Sequence, residues 1–243
     1  MKGIARAKVN WTLEVLGKRP DGYHELRSIV LPVSLHDDVE IERTDDGSVV
    51  VAGCEGIAQE RNLAFIAALR LRERCQMPRL GAKISIVKRI PSGAGLGGGS
   101  SDAAAVLRML NELWGVGLGE TELLMLAAEV GSDVPALVLD SPVMMEGRGE
   151  RVRRLTEDEL AEVPRSEEIV LLSPPVFSST AAVYAEFRPE DRGHGRNDLQ
   201  PAAMRLYPQI GEALADLEAR GLSSVAMSGS GSTVYGLCRR NMV

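Results

Sequence analysis

Twelve consecutive residues, Pro91-Ser92-Gly93-Ala94-Gly95-Leu96-Gly97-Gly98-Gly99-Ser100-Ser101-Asp102, contain five glycines and end on three capping-type side chains. Such a run can hold an anion against the main chain. Glycine admits φ > 0 and lets a ligand approach the backbone closely. Ser100, Ser101 and Asp102 can cap a following helix, whose free N–H groups and partial positive charge suit a phosphate. The run is not a Gly-x-x-x-x-Gly-Lys-Ser/Thr loop, because no lysine follows the glycines. Gly93, Gly95 and Gly98 satisfy Gly-x-Gly-x-x-Gly, but no early βαβ unit is expected around them, so a dinucleotide fingerprint is not supported. On composition alone a flexible surface turn accounts for the stretch about equally well. A second glycine stretch, Ser228-Gly229-Ser230-Gly231-Ser232, reads as a tight hairpin turn. Two such loops in one chain also suit a site with two phosphate-bearing ligands.

The elements around these loops follow from hydrophobic periodicity. Residues 7–16 alternate and predict a strand, residues 17–22 a turn, and residues 26–35 a second strand. Residues 39–42 and 49–51 predict a hairpin around Asp45-Asp46-Gly47. Asn62 can cap a helix over 63–76. Residues 82–87 form the strand before the first glycine loop. The helix after it, from residue 103, aligns Leu107, Leu110 and Trp114 on one face. Residues 121–130 predict a helix stopped by Gly131, and Ser132-Asp133-Val134-Pro135 a new helix start. A strand or hairpin over 143–155, a charged junction over 156–168, a strand over 169–172, helices over 178–187 and 199–220, and strands over 225–227 and 234–237 complete the chain. The order gives a mixed α+β architecture and not a doubly wound one.

The chain has 243 residues, 44% of them hydrophobic and only 4% aromatic, with a net charge of −6. Aliphatic side chains must therefore fill the core, and an acidic balance argues against a nucleic-acid surface. Cys54, Cys75 and Cys238 are odd in number and form no Cys-x-x-Cys pair, so neither a disulfide frame nor a zinc site is expected. The apolar runs are too short to span a bilayer, and the N-terminus lacks a signal-peptide pattern. The expectation is a cytoplasmic protein with no membrane partner.

Four stretches resemble the GHMP kinases and, within them, the 4-diphosphocytidyl-2-C-methyl-D-erythritol kinases. They are Ala7-Lys8-Val9-Asn10 with residues 16–26, the first glycine loop with residues 103–114, Gly131-Ser132-Asp133-Val134-Pro135, and residues 227–232. The glycine loops are common to GHMP kinases. Asp21-Gly22-Tyr23-His24 is narrower and selects the second family. The resemblance implies an N-terminal ribosomal protein S5 domain 2-like domain over 1–160 and a C-terminal ferredoxin-like domain over 161–243. Relatives usually continue for a further helix and strand, so the second domain is expected to be incomplete, with an exposed sheet edge.

The resemblance also implies ATP-dependent phosphorylation, with Mg²⁺, of the C2 hydroxyl of the methylerythritol unit by a monomer or weak homodimer. It gives Asp133 as the base that accepts the hydroxyl proton, kept ionised as a helix-capping residue. Lys8 stabilises the transferring phosphoryl group. By itself Lys8 reads as a solvated strand lysine and Asp133 as a plain cap. Asn10, two residues along the strand from Lys8, shares its side and could bond the acceptor's hydroxyls. Pro91 to Ser101 (Pro91, Ser92, Gly93, Ala94, Gly95, Leu96, Gly97, Gly98, Gly99, Ser100, Ser101) wrap the ATP phosphates, with Asn62, Leu63 and Lys88 near the adenine. Tyr23 and Tyr184 sandwich cytosine, His24 reads its polar edge, and Thr180 contacts the same substrate. Tyr184 serves equally well as a packing residue. Val30 stands where some relatives carry an aromatic near the base, and Ser132 where Ala is more usual. No dedicated cluster of metal-binding carboxylates is expected. Two other readings use the same motifs: a non-catalytic nucleotide sensor, and a kinase for another small alcohol.

Overall fold

The computed structural model describes residues 1–164 and 167–239. The expected junction therefore lies within the description except for Arg165 and Ser166, and the end of the chain (residues 240–243) lies outside it.

A seven-stranded sheet is built on one long strand. β1 (Lys2–Asn10) and β2 (Glu14–Lys18) pair antiparallel with β3 (His24–Thr44) along one edge. β5 (Gly81–Val87) and β6 (Val143–Gly147) pair with its other edge. The expected strand over 7–16 is thus two strands, broken between Asn10 and Glu14. The expected break at His36-Asp37-Asp38 does not occur. Polar residues interrupt the alternation there, but Asp37 is fully buried and accepts hydrogen bonds from the backbone N–H groups of Arg89 and Ile90 and from Lys88. The partners that keep the strand continuous lie about fifty residues away.

The hairpin expected around Asp45-Asp46-Gly47 is also corrected. The turn forms, with the Asp46 carboxylate taking the Ser48 N–H and the Thr44 and Ser48 hydroxyls. β4 (Val49–Ala52), however, pairs parallel with β5, which separates it from β3. With α1 (Leu63–Cys75) between them, β4 and β5 form a βαβ unit that periodicity did not reveal. An alternating run specifies a strand, not which neighbour it joins.

α1 and α2 (Gly98–Leu113) pack with α3 (Glu120–Val130) and α4 (Val134–Val138) on one face of the large sheet. Ala64, Ala67 and Ala68 of α1 and Ala103, Ala104 and Ala105 of α2 are all buried in this core, and their small size lets helices approach closely. α2 begins five residues earlier than expected. Gly97 occupies the N-cap in the left-handed region (φ 70°). Ser101 and Asp102 do not cap: the Ser101 hydroxyl donates to the Arg6 carbonyl and the Asp102 carboxylate receives Lys88.

β6 turns into β7 (Arg151–Arg154), and α5 (Glu157–Ala161) leads to a smaller sheet. There β8 (Glu167–Leu172) and β9 (Ser223–Met227) flank β10 (Val234–Arg239) among the described residues. α6 (Thr180–Glu186), α7 (Gln200–Leu206) and α8 (Pro208–Ala219) belong to this part. The single helix expected over 199–220 breaks at Tyr207, because Pro208 lacks an N–H and starts a new helix.

The two sheets share cores. Val9, Ile29 and Leu31 of the large sheet, with Trp11 just beyond β1, pack with Ala226, Tyr235 and Leu237 of the small one. The buried Tyr235 hydroxyl lies within hydrogen-bond distance of the carbonyls of Asn10 (3.1 Å) and Trp11 (2.9 Å). Leu13, Val15 and Leu26 sit in a further core with Leu199, Ile210, Leu217 and Met227. The cleft between the sheets is therefore held from below by buried apolar contacts, which fixes the residues along its rim. Among the described residues no helix is long and apolar enough to cross a membrane.

Candidate active site

The first glycine loop joins β5 to α2 and is fastened at alternate residues. Ala94 and Leu96 are buried. The Ala94 carbonyl accepts from Thr233 N–H and the Leu96 carbonyl from Lys8 N–H. Gly93, Gly95 and Gly97 are left facing the cleft, where they line both a central cavity of about 280 Å³ and a second one of about 340 Å³ toward Leu63, Lys88 and Pro91. Glycine is needed at residue 95 for two reasons. Its φ is +76°, and a Cβ there would come 2.2 Å from the Ser228 carbonyl oxygen. The second glycine loop therefore lies directly against the first, tied by the Ser228 hydroxyl to the Gly95 carbonyl at 3.0 Å. Asn197 holds it from behind, its amide donating to the carbonyls of Met227 and Gly229, each at 2.7 Å.

Lys8 reaches the centre of this arrangement from β1. It is 5% exposed, so its charge needs partners. Its ammonium donates to Asn10 Oδ1 at 2.6 Å and to the Gly95 carbonyl at 3.0 Å, and it stands 3.6 Å from Asp133 Oδ2. Asn10 does share the side of Lys8, and its own amide donates to the Ser28 hydroxyl. Asp133 occupies the N-cap of α4, but its side chain makes no capping hydrogen bond. The expectation that its side chain caps the helix is corrected: the carboxylate turns into the cleft toward Lys8. An ammonium and a half-exposed carboxylate beside a backbone cradle can stabilise a transferring anion and accept a proton.

On the far side of Asp133 opens a cavity of about 650 Å³ lined by Tyr23, His24, Ser132, Arg148, Thr180 and Tyr184, among others. Tyr23 and Tyr184 both line it. The ring stacked on Tyr184, however, is that of His24, at 4.9 Å between centroids and 19° between planes. Arg148 lies over the Tyr23 ring at 5.3 Å. Burial, with Lys18 and Arg192 nearby, lowers the His24 pKa below its usual 6.5. The neutral imidazole offers one donor and one acceptor. Burial, with Asp133 adding to it, raises the Tyr184 phenol, which stays protonated. Thr180 shares a hydroxyl–hydroxyl hydrogen bond with Ser230 at 2.8 Å, joining this cavity to the second glycine loop.

Three expected residues behave differently from the rest. Asn62 caps α1, its side chain accepting from Ala64 N–H at 2.9 Å, and it lines none of the three cavities. Lys88 does line the glycine-loop cavity, but its ammonium is held by Asp37 at 2.5 Å and Asp102 at 2.6 Å. Val30 is buried against Ala136, Val143 and Met145, away from the aromatic cavity. Sequence reasoning also missed Asp37, Asn197, Arg148 and Phe177. Asn197 had a weak signal, an Asn before a helical run; the others had none.

The residues present fit a nucleoside triphosphate. A side chain at Gly97 would crowd the cradle, its Cβ lying 3.2 Å from the Lys8 stem, and one at Gly95 would push the second glycine loop away from the first. Among the described residues no group of three His, Cys, Asp or Glu side chains could hold a metal by itself. A divalent cation that arrives bound to phosphates needs no such group.

The chain resembles known proteins over nearly its whole length. Residues 62–141 match the model of the GHMP kinases N terminal domain, and residues 181–242 that of the GHMP kinases C terminal. The chain is 42% identical over 253 residues to a 4-diphosphocytidyl-2-C-methyl-D-erythritol kinase of Geobacter sp. (strain M21), covering 96% of this chain and 88% of the relative. A solved 4-(cytidine 5'-diphospho)-2C-methyl-D-erythritol kinase superposes with a TM-score of 0.84 at 37% identity, covering 98% of this chain and 90% of that one. A homoserine kinase from Cytophaga hutchinsonii shares the fold at 18% identity, with a TM-score of 0.72 and coverage of 99% and 86%.

Proposed function

This chain belongs to the GHMP kinase family, and we propose that it transfers the γ-phosphoryl group of ATP to the C2 hydroxyl of 4-diphosphocytidyl-2-C-methyl-D-erythritol. The products are the 2-phosphate and ADP. The observation that carries the reading is the Lys8–Asp133 pair, 3.6 Å apart between a glycine cradle and an aromatic cavity. Phosphoryl transfer asks the protein for positioning and charge stabilisation more than for covalent chemistry.

In this reading the cradle of Pro91 to Ser101 receives the triphosphate on backbone N–H groups, with Leu63 and Lys88 on the nucleotide side. Mg²⁺ enters on the phosphates, held largely by their oxygens and water, and neutralises part of their charge. The aromatic cavity takes the cytidine end: Tyr23 and Tyr184 supply ring faces, worth about 1–3 kcal/mol per stacked base. The neutral His24 reads the base's polar edge. This places the alcohol in the central cavity. Asp133 accepts the C2 hydroxyl proton as that oxygen attacks the γ-phosphorus. The bond from that phosphorus to the bridging oxygen breaks and ADP leaves. Lys8 stabilises the charge on the γ-phosphoryl oxygens, and Asn10 holds Lys8 in place. The boundary between the domains falls near residue 160, after the last strand of the large sheet and before β8. A cytoplasmic location belongs to the same reading.

The test is ADP release coupled to product detection with this substrate, beside mevalonate, homoserine and galactose. The expected result is turnover with the cytidylyl substrate alone. Preference for a sugar or for mevalonate overturns the substrate. Tight ATP binding with no turnover on any acceptor supports a nucleotide sensor instead.

A further inference from the structure

Phe177 is the most exposed of the large apolar side chains among the described residues, at 72%. It is one of three phenylalanines in a chain that is only 4% aromatic. Its neighbours are not loose. Val176 packs in the core beneath the small sheet, and Val176 N–H donates to the Pro174 carbonyl at 2.7 Å. Ser178 is buried, its hydroxyl donating to the Ser230 carbonyl of the second glycine loop at 2.6 Å. The backbone is thus anchored on both sides of a ring that points out of the core.

That ring crosses the cleft and lies on the first glycine loop. A Cβ on Gly93 would come within 2.4 Å of Phe177 Cε2 and 2.7 Å of Cδ2. Phe177 also lines the central cavity together with Lys8, Gly95, Gly97 and Asp133. An apolar ring anchored over a phosphate cradle gains little from its own contacts. It does form an apolar part of the cavity wall beside the first glycine loop, the aliphatic parts being Leu13, Leu26 and Met145.

We propose that Phe177 sets acceptor specificity, alcohol against water, by closing this side of the phosphoryl-transfer centre. The inference rests on the kinase reading above. A carboxylate able to take a proton from an alcohol can take one from water. In the side reaction a water oxygen bonds to the γ-phosphorus and the bond to the bridging oxygen breaks. ADP and inorganic phosphate leave, and the water proton passes to Asp133. Nothing in the Lys8–Asp133 pair discriminates between the two oxygens. Exclusion of water has to come from the cavity's walls, and Phe177 is the apolar part of them that lies against Gly93 of the first glycine loop.

The experiment compares wild type, Phe177→Ala and Phe177→Leu for ADP released, inorganic phosphate released and phosphorylated alcohol formed. Each is measured with ATP and Mg²⁺, with and without the cytidylyl acceptor. Wild type should give one phosphorylated alcohol per ADP. Phe177→Ala should release ADP and phosphate without acceptor about tenfold faster than wild type, and exceed one ADP per product when acceptor is present. Phe177→Leu, which keeps apolar bulk, should restore most of the coupling. The side chain is exposed, so the variants should melt with wild type. Unchanged acceptor-free hydrolysis in Phe177→Ala overturns the proposal, whether transfer falls or not. Failure of wild type to phosphorylate the cytidylyl alcohol would strike the substrate assignment alone, because acceptor-free hydrolysis reports on the wall whatever the acceptor is.

Discussion

Two lysines flank the first glycine loop, and their surroundings differ sharply. Lys8 faces an amide oxygen at 2.6 Å, a backbone carbonyl at 3.0 Å and a carboxylate at 3.6 Å whose side chain is 39% exposed. Lys88 is gripped by two buried carboxylates, Asp37 and Asp102, at 2.5 and 2.6 Å. Burial opposes its charge, but Asp102 and Asp37 outweigh burial and raise its pKa. The Lys8 ammonium is therefore only partly compensated and can still respond to charge developing on a phosphoryl group. That of Lys88 is more than neutralised and serves first to join β3, β5 and α2 at the base of the loop. Proximity to a glycine loop does not make a lysine catalytic; what matters is how much of its charge the fold has already matched.

The two carboxylate partners differ in the same way. Asp102 Oδ1 is buried and finds no hydrogen-bond partner among the described residues. Burial pushes the Asp102 carboxyl up to about 7, Lys88 pulling it down and Asp37 adding to the rise. Two carboxylates sharing one ammonium leave a surplus negative charge, and a proton on Asp102 removes it near neutrality. Asp133 instead lines the cleft, with the Lys8 ammonium 3.6 Å away.

The comparison breaks first at Asp133. Asp133→Asn should lower kcat by about 10²–10⁴-fold while titration still detects ATP binding; turnover within a few-fold of wild type would remove the base from the mechanism. Lys8→Met should lower kcat by about 10²–10³-fold with a modest change in melting temperature. Lys88→Met should show the opposite balance. It strands two buried carboxylates and should cost about 3–5 kcal/mol of stability by denaturant titration, with the larger kinetic change in KM for ATP. If Lys8→Met and Lys88→Met gave the same profile, the distinction between the two sites would fail.

The smallest effect sharpens the comparison through pH. Asp102 has a folded pKa of about 7 against an ordinary value of 3.8. Between those values the folded chain binds more protons than the unfolded one, so stability falls as pH rises from about 4 to about 7. In thermal melts this gives wild type a declining component of no more than about 4 kcal/mol, opposed in part of the window by His24, whose lowered pKa works the other way. Asp102→Asn should flatten it. An unchanged slope in that variant would place the titration elsewhere.

The strand–glycine loop–helix order, the cap at Asn62 and the helix start at Asp133 were legible, because each depends on residues a few positions apart. Lys8 and Asp133 were legible only through resemblance; alone they read as a strand lysine and a cap. The parallel pairing of β4 was hidden because alternation carries no information about partners. Asp37 was hidden because a charged residue in an apparent strand break looks solvated until its partners are known.

What the chain's order determined by itself was local conformation: where φ must be positive, where a helix can begin, which faces are apolar. Those demands are met by neighbours in sequence. Which lysine keeps its charge available, and which aromatic ring lies over Gly93, depended on residues far apart. Lys88 and Asp37 are 51 positions apart, and Lys8 and the Gly95 carbonyl 87. Electrostatic compensation and the exclusion of water are properties of what surrounds a group in space, and only the packed tertiary structure supplies those surroundings.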